Sequence, residues 1–235
     1  MREAASPRVV AQSPDYLVLY KPHDMHTAPL CAGGGGALLD WAAERFPELA
    51  TMRGLKAFEG GLLHRLDFGT AGLVLAARNE ASFEKLLSQQ RGGLFIKEYD
   101  ALASKSDRLL SGFPPDGFSL PRGALESPPF TVSSGFRAYG PGRKSVRPIL
   151  HGKPAYQTEV LSLEPAAVGS GVVQFRVRLA RGFRHQVRCH LSWLGFPILN
   201  DALYGGSGGD APLALKASFL RFADPASGER REYRL

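Results

Sequence analysis

The sequence predicts an α+β protein. Strand-like segments outnumber helical ones. Two of them, 16–20 ("YLVLY") and 71–77 ("AGLVLAA"), are continuous apolar runs, and a third, 172–180 ("VVQFRVRLA"), alternates apolar and polar residues. At 235 residues and 44% hydrophobic, the chain can bury a core in one large domain or in two closely packed halves.

The elements follow in order. The first strand stops at Lys21-Pro22, and the glycines at 33–36 break the chain ahead of a helical "ALLDWAAERF". No Gly-Lys-Ser/Thr follows those glycines, which excludes a phosphate loop. After 71–77, Asn79 can cap a helix with Phe83, Leu86 and Leu87 on one face, so Asp67 lies in a loop entering a strand. In "LFIKEYDALA", alternation places Phe95, Lys97, Tyr99 and Ala101 on one face of a strand and Ile96, Glu98 and Leu102 on the other. Segment 104–154 carries eight of the 17 prolines and the cationic "GRKSVRP"; it is predicted to be a loop-rich insertion with one strand near 129–133. Val173, Phe175, Val177 and Leu179 then point inward from a strand whose outer face shows Arg176 and Arg178. "FRHQVRCHLSWLG" reads as a helix with Val187, Leu191 and Leu194 at helical spacing and Gly195 at its end.

The charge balance is 29 Lys+Arg against 22 Asp+Glu, and 21 of the 29 are arginine, the better fork for phosphate. A net charge of +7 favours a polyanionic partner, nucleic acid first and an anionic membrane second. Cys31 and Cys189 have no CxxC spacing, so neither a disulfide framework nor a zinc site is indicated, and a reducing cytoplasm fits best. The N-terminus has no apolar leader and no run is long enough to cross a bilayer, which predicts a soluble protein without a membrane partner.

Arg181, Arg184 and Arg188 recur at three- and four-residue spacing over the predicted start of the last helix. Cations there oppose the helix dipole at about 0.3–1 kcal/mol each. An acidic partner would offset that: RNA phosphate, Asp67, or both; the alternative is a solvated basic face. His185 and His190 are five apart and cannot form the i, i+4 zinc pair, so no metal is expected. The motif around Asp67 holds no second acid for a glycosidase-type pair or a carboxylate-nucleophile hydrolase, and no GxSxG elbow is present.

"HRLDFGTAGL" (64–73), "KEYDALA" (97–103) and "HQVRCHLSWLGFPILNDALYG" (185–205) resemble the three signature blocks of the RluA-type RNA pseudouridine synthases, in the same order and separation. "DYLVLYKPHDMHTAP" is similar to the family's strand–Lys-Pro segment, and the resemblance runs from about Asp15 to the terminal "LKASFLRFADPASGE". The chain departs from the family pattern at several places. Phe183 and Arg184 stand where Arg-Thr is usual before His-Gln-Ile-Arg, Ala202 replaces a proline, and Lys216 replaces a histidine. These departures bear on RNA contacts more than on chemistry.

The resemblance implies a pseudouridine synthase fold: a mixed, largely antiparallel sheet in two halves with a central active-site cleft. It makes 1–235 a single catalytic domain without an S4-type RNA-binding module. It also implies a reaction: the N1–C1′ bond of uridine breaks, the uracil rotates, C5 joins C1′ and the C5 proton leaves. Nothing is oxidised, so no cofactor is required. On this reading Asp67 is the catalytic carboxylate, Arg188 its ion-pair partner, and Tyr99 packs against the uracil and takes or delivers a proton. Arg65 fills the gap left by a flipped-out base. Lys97, Arg181, Arg184, His185 and Gln186 contact the RNA, ribosomal or transfer, and His64 is a hydrogen-bonded structural residue. The protein is expected to be a monomer. The alternative from another class is a non-catalytic RNA-binding protein or RNA chaperone on the same scaffold, with Asp67 only bracing the cleft through Arg188.

Overall fold

A computed structural model describes residues 6–31, 33–56, 58–114, 128–150, 155–206 and 209–235. Its elements run β1 (Arg8–Gln12), β2 (Tyr16–Lys21), α1 (Leu38–Ala43), α2 (Glu48–Thr51), β3 (Ala71–Ala77), α3 (Glu80–Arg91) and β4 (Ile96–Ser104). They continue with β5 (Phe130–Tyr139), β6 (Ser145–Ile149), β7 (Tyr156–Pro165), β8 (Val172–Leu179), α4 (Gln186–Trp193), β9 (Leu215–Ala223) and β10 (Arg230–Arg234). The chain divides into two compact units, Met1–Lys97 with Lys216–Leu235, and Glu98–Leu215. Each is strand-rich with few helices and mostly antiparallel pairing, as an α+β class requires.

In the first unit the strand order is β1-β2-β3-β9, with β10 pairing β9. The two continuous apolar runs become β2 and β3, buried along their whole length and paired antiparallel from Tyr16↔Ala77 to Lys21↔Gly72. Strands covered on both faces need no polar alternation, which is why they read as unbroken apolar runs. On one face Tyr16, Val18, Leu73, Leu75, Leu220 and Phe222 meet Phe83, Leu86 and Leu87 of α3, the stripe that the sequence assigned to the helix. Asn79 caps that helix by accepting the Ser82 N–H (2.9 Å), and Asp15 in turn accepts from Asn79 (3.1 Å) and the Ser82 hydroxyl (2.7 Å).

In the second unit the order is β4-β8-β7-β5-β6. The loop-rich reading of 104–154 is corrected here. β5 is twice the length expected near 129–133, and β6 follows it as a hairpin partner. One long strand serves two neighbours: Phe130–Ser134 pairs with β7 and Gly135–Tyr139 with β6. Residues 115–127 and 151–154 of that segment lie outside the described residues. β8 alternates as the sequence dictates, with Phe175, Val177 and Leu179 buried and Gln174 and Arg176 exposed.

α4 is shorter than predicted. It begins at Gln186 rather than near Phe183, because His185 adopts a left-handed backbone (φ 57°) and the Gln186 side chain accepts the Phe183 N–H (2.9 Å), closing a turn instead of a helical start. Arg181 and Arg184 therefore precede the helix, and the dipole argument does not apply to them. His190 anchors α4 to the sheet: its two ring nitrogens are hydrogen-bonded to Thr158 of β7 (2.7 Å) and Ser134 of β5 (2.9 Å). Burial lowers its pKa to about 3, so it is neutral. Among the described residues no helix is long and apolar enough to cross a membrane.

The start of β3 runs parallel to β9, with Ala71↔Lys216 and Gly72↔Ala217 in register. Gly72 has φ +129°, and a Cβ there would stand 2.2 Å from the Ala217 carbonyl oxygen. Gly72→Ala is expected to destabilise the protein by about 2–3 kcal/mol through backbone strain and overpacking, measured by urea unfolding. An unchanged midpoint would refute this account of the junction.

Candidate active site

Asp67 lies in the loop that enters β3, where no ladder of backbone hydrogen bonds can hold it. Side chains from 21–27 do so. The Thr27 hydroxyl donates to the Leu66 carbonyl (2.9 Å) and accepts the Leu66 N–H (3.0 Å). The Lys21 ammonium donates to the carbonyls of Pro22 (2.9 Å), Met25 (2.8 Å) and Phe68 (3.1 Å), and His23 Nδ1 is hydrogen-bonded to the Gly69 carbonyl (2.7 Å). The Thr70 N–H closes the turn on the Asp67 carbonyl (3.0 Å). Residues on both sides of Asp67 are thus tied to one segment, and Asp67 is left half-buried.

Lys21 is fully buried. Burial pushes its pKa down to about 8, while the nearby charges of Asp67 and Asp24 act to raise it, so a cation stands in the electrostatic field of the candidate carboxylate. The sequence reading saw Lys21 only as the end of a strand. The signal available was a lysine closing an apolar run, where a charge is costly unless it has several acceptors.

Arg65 is half-exposed and held by the nearly buried Glu59 (3.1 Å). His64 bears out as a hydrogen-bonded residue: Leu75 N–H donates to its Nε2 (3.2 Å). Burial first, then the charge of Lys97, hold its pKa well below the usual range. The neutral ring must then carry its proton on Nδ1, a buried atom without a hydrogen-bond partner. Lys97 was expected to touch RNA, but it is only 3% exposed and its ammonium sits over the Phe95 ring (4.8 Å), so phosphate does not reach it in this structure. Burial lowers its pKa to about 8 as well.

The second unit carries the other sequence-predicted residues. Tyr99 is buried in β4. Arg188, on the first turn of α4, grips Asp201 with two hydrogen bonds, Nε to Oδ2 (2.7 Å) and Nη2 to Oδ1 (2.8 Å), and lies 5.2 Å from the Tyr204 ring. Asp201 is 1% exposed, so the pair is a fixed fork rather than a surface contact. Tyr204, also buried, accepts the Val146 N–H (2.9 Å) and is hydrogen-bonded to His185 Nδ1 (3.1 Å); burial raises its phenol pKa above the ordinary value. Gln186, expected at the RNA, is instead buried. It donates to the Gln157 carbonyl (2.8 Å) and the Thr158 hydroxyl (3.0 Å) besides accepting the Phe183 N–H. Arg181 and Arg184 are exposed. Asp201 and Tyr204 were missed because both fall in a loop with no periodicity to place them.

The RNA pseudouridylate synthase family model matches residues 15–193, which contain the Asp67 loop, β4 and the whole of α4. The chain belongs to that family. It is 29% identical over 240 residues to a ribosomal large subunit pseudouridine synthase D of Vibrio vulnificus, an alignment covering 96% of this chain and 65% of the relative. It is 31% identical over 216 residues to an uncharacterised RNA pseudouridine synthase of Chloroflexus aurantiacus, covering 91% of this chain and 60% of that protein. The chain thus spans somewhat under two thirds of these relatives' length. Among solved structures, human RNA pseudouridylate synthase domain containing 1 shares the fold, with a TM-score of 0.67 at 23% identity over 99% of this chain and 84% of that one. Among the described residues of this family member, no cluster of three or more His, Cys, Asp or Glu could hold a metal.

Two buried lysines with similar pKa values make a contrast that stability can read. Each has a folded pKa near 8 and an unfolded pKa near 10.5, so the unfolded state binds more protons between those values and stability rises with pH across that window. Below pH 8 each ammonium is buried at a cost. Lys21 has three carbonyl acceptors and Lys97 has a ring face. Lys97→Met is therefore expected to raise stability at pH 7 by about 1–3 kcal/mol and to flatten the pH 8–10.5 rise. Lys21→Met is expected to lower stability by a similar amount, because buried carbonyls lose their donor. Denaturant unfolding at pH 7 and 10 checks both; a loss of stability in Lys97→Met would sink the argument.

Proposed function

We propose that the chain is an RNA pseudouridine synthase that converts uridines of ribosomal or transfer RNA to pseudouridine, with Asp67 as its catalytic carboxylate. The family membership together with the braced loop around Asp67 supports the reading most directly. A half-buried carboxylate on a loop whose flanking backbone is pinned by Lys21, Thr27 and His23 can meet a reacting ring with little reorganisation, which is where much of an enzyme's rate advantage arises.

On this reading the target uridine leaves its stack and Arg65 takes the vacated place. Asp67 supports cleavage of N1–C1′. The freed uracil turns against Tyr99, C5 bonds to C1′, the proton on C5 departs to a base, and N1 takes up a proton in place of the sugar. Arg188 is the cationic partner of the reaction, its guanidinium oriented by Asp201. The overall step is an isomerisation, balanced without oxidant or cofactor. We place the protein in the cytoplasm as a monomer. Ribosomal RNA is the first substrate to test, because the Vibrio relative is named for the large ribosomal subunit.

The test is release of tritium from RNA labelled at C5 of uridine. Wild type is expected to release it and Asp67→Ala to release none while still binding RNA. No release by either protein from ribosomal or transfer RNA, with binding intact, would replace the reading by a binding protein without catalysis.

A second outcome concerns the fork on α4. Asp201→Asn keeps the shape but loses the charge that fixes Arg188, so kcat is expected to fall by about tenfold or more with little change in KM. Single-turnover rates against RNA binding separate the two. Equal loss in both would show that Asp201 serves binding rather than orientation.

A further inference from the structure

Outside the residues assigned to the reaction, the second unit gathers three large rings at its surface. Phe136 of β5 and Phe183 are stacked, with centroids 4.9 Å apart and planes 5° from parallel. Tyr156 of β7 leans on both, at 5.8 Å from Phe136 and 4.9 Å from Phe183. All three are half-buried. Their seat is rigid: the Gln186 side chain holds the Phe183 N–H, and the neutral, fully buried His190 ring lies 5.0 Å behind Phe136.

Two cations flank the rings. Arg181 is exposed with its guanidinium 6.0 Å from the Tyr156 centroid, and Arg184 is exposed with its Nη2 donating to the Arg143 carbonyl (2.7 Å) at the β5–β6 turn. Arg143 and Lys144 at that turn are exposed too. Segments 130–149, 155–158 and 181–188, which build this surface, contain no aspartate or glutamate. Partly exposed aromatic rings and mutually repelling cations are each unfavourable in water. A single ligand with flat aromatic faces and a chain of phosphates satisfies both.

We propose that Phe136, Tyr156 and Phe183 form a stacking platform for an unpaired base of the RNA substrate, with Arg181 and Arg184 on its flanking phosphates. The proposal rests on the functional reading above for the identity of the ligand as substrate, and adds the surface and the mode of contact. Unpaired RNA, rather than a duplex, is what the platform selects. A base inside a helix has both faces covered, whereas a loop or single strand offers a free face to a ring. Stacking is tolerant of sequence, so the platform sets affinity for unpaired RNA without choosing the target uridine.

The test uses the full chain and a fluorescent single-stranded decamer of mixed sequence, with a hairpin duplex of equal length as comparison, read by anisotropy. Phe183→Leu is expected to weaken single-strand binding by about tenfold or more, leaving the salt dependence and the duplex affinity unchanged. Phe183→Tyr should restore binding. Arg181→Gln should make the dependence of log affinity on log salt shallower by about 0.7, one phosphate contact on a single strand. RNA carrying 5-iodouridine should photocrosslink to peptides containing Phe136, Tyr156 or Phe183. Wild-type affinity in a folded Phe183→Leu, or crosslinks only elsewhere, overturns the proposal. If Phe183→Leu fails to fold, the crosslink site in wild type decides. The outcome is separable from the catalytic reading: tritium release with no platform crosslink leaves an enzyme that holds RNA elsewhere, and a platform crosslink without tritium release leaves a binding protein.

Discussion

A buried ammonium with three carbonyls around it organises the first unit. Lys21 ends a strand that lies wholly inside the protein, and its charge would be costly there if it were unpaired. The carbonyls of Pro22, Met25 and Phe68 supply the acceptors, and they belong to two separate stretches of chain that must converge for the charge to be tolerated. Meeting that requirement shapes the loop after Phe68 and holds the residue before it, Asp67, half-buried in place. The same cation lies within the electrostatic reach of Asp67, so one side chain both builds the loop and sets its field.

The second unit solves a comparable problem with neutral groups. α4 is too short to be stable alone, and its buried polar residues bind it to the sheet: His190 through Thr158 and Ser134, Gln186 through Gln157, Thr158 and Phe183. Each donor and acceptor fixes a rotation of the helix. The guanidinium of Arg188 is then aimed by Asp201, and the left-handed His185 turns the chain away so that Arg181, Phe183 and Arg184 face outward. Residues adjacent in sequence thus divide into braces and surface groups. Gln186 and His190 are braces; Arg181 and Arg184 are surface.

Phe183, the residue that departs from the family's pattern, illustrates how a local change is absorbed. An apolar ring at the surface of a basic segment has no evident role when read alone. In the fold it lies flat on Phe136, from a strand nearly fifty residues earlier in a segment the sequence had assigned mostly to loops. The partner was invisible because the alternation in 130–139 is interrupted: Ser134 and Gly135 are both buried where the strand passes from one neighbour to the other.

Much of this was legible in the amino-acid sequence by itself. It determined the α+β class, the two buried strands beside the Asp67 loop, the cap at Asn79, the helix stripe of Phe83, Leu86 and Leu87, and the blocks that carry the family. Each of these depends on residue type and local period, which tertiary contacts reinforce rather than alter. Only the tertiary structure decided which polar residues are inside. The family resemblance implies RNA contacts at Lys97 and Gln186, yet a strand covered on both faces and a helix seated on a sheet leave them no solvent. Lys21, Asp201 and Tyr204 gained their roles the same way, from partners brought near by folding. A hydrogen bond between segments far apart in sequence leaves no trace in the period of either one.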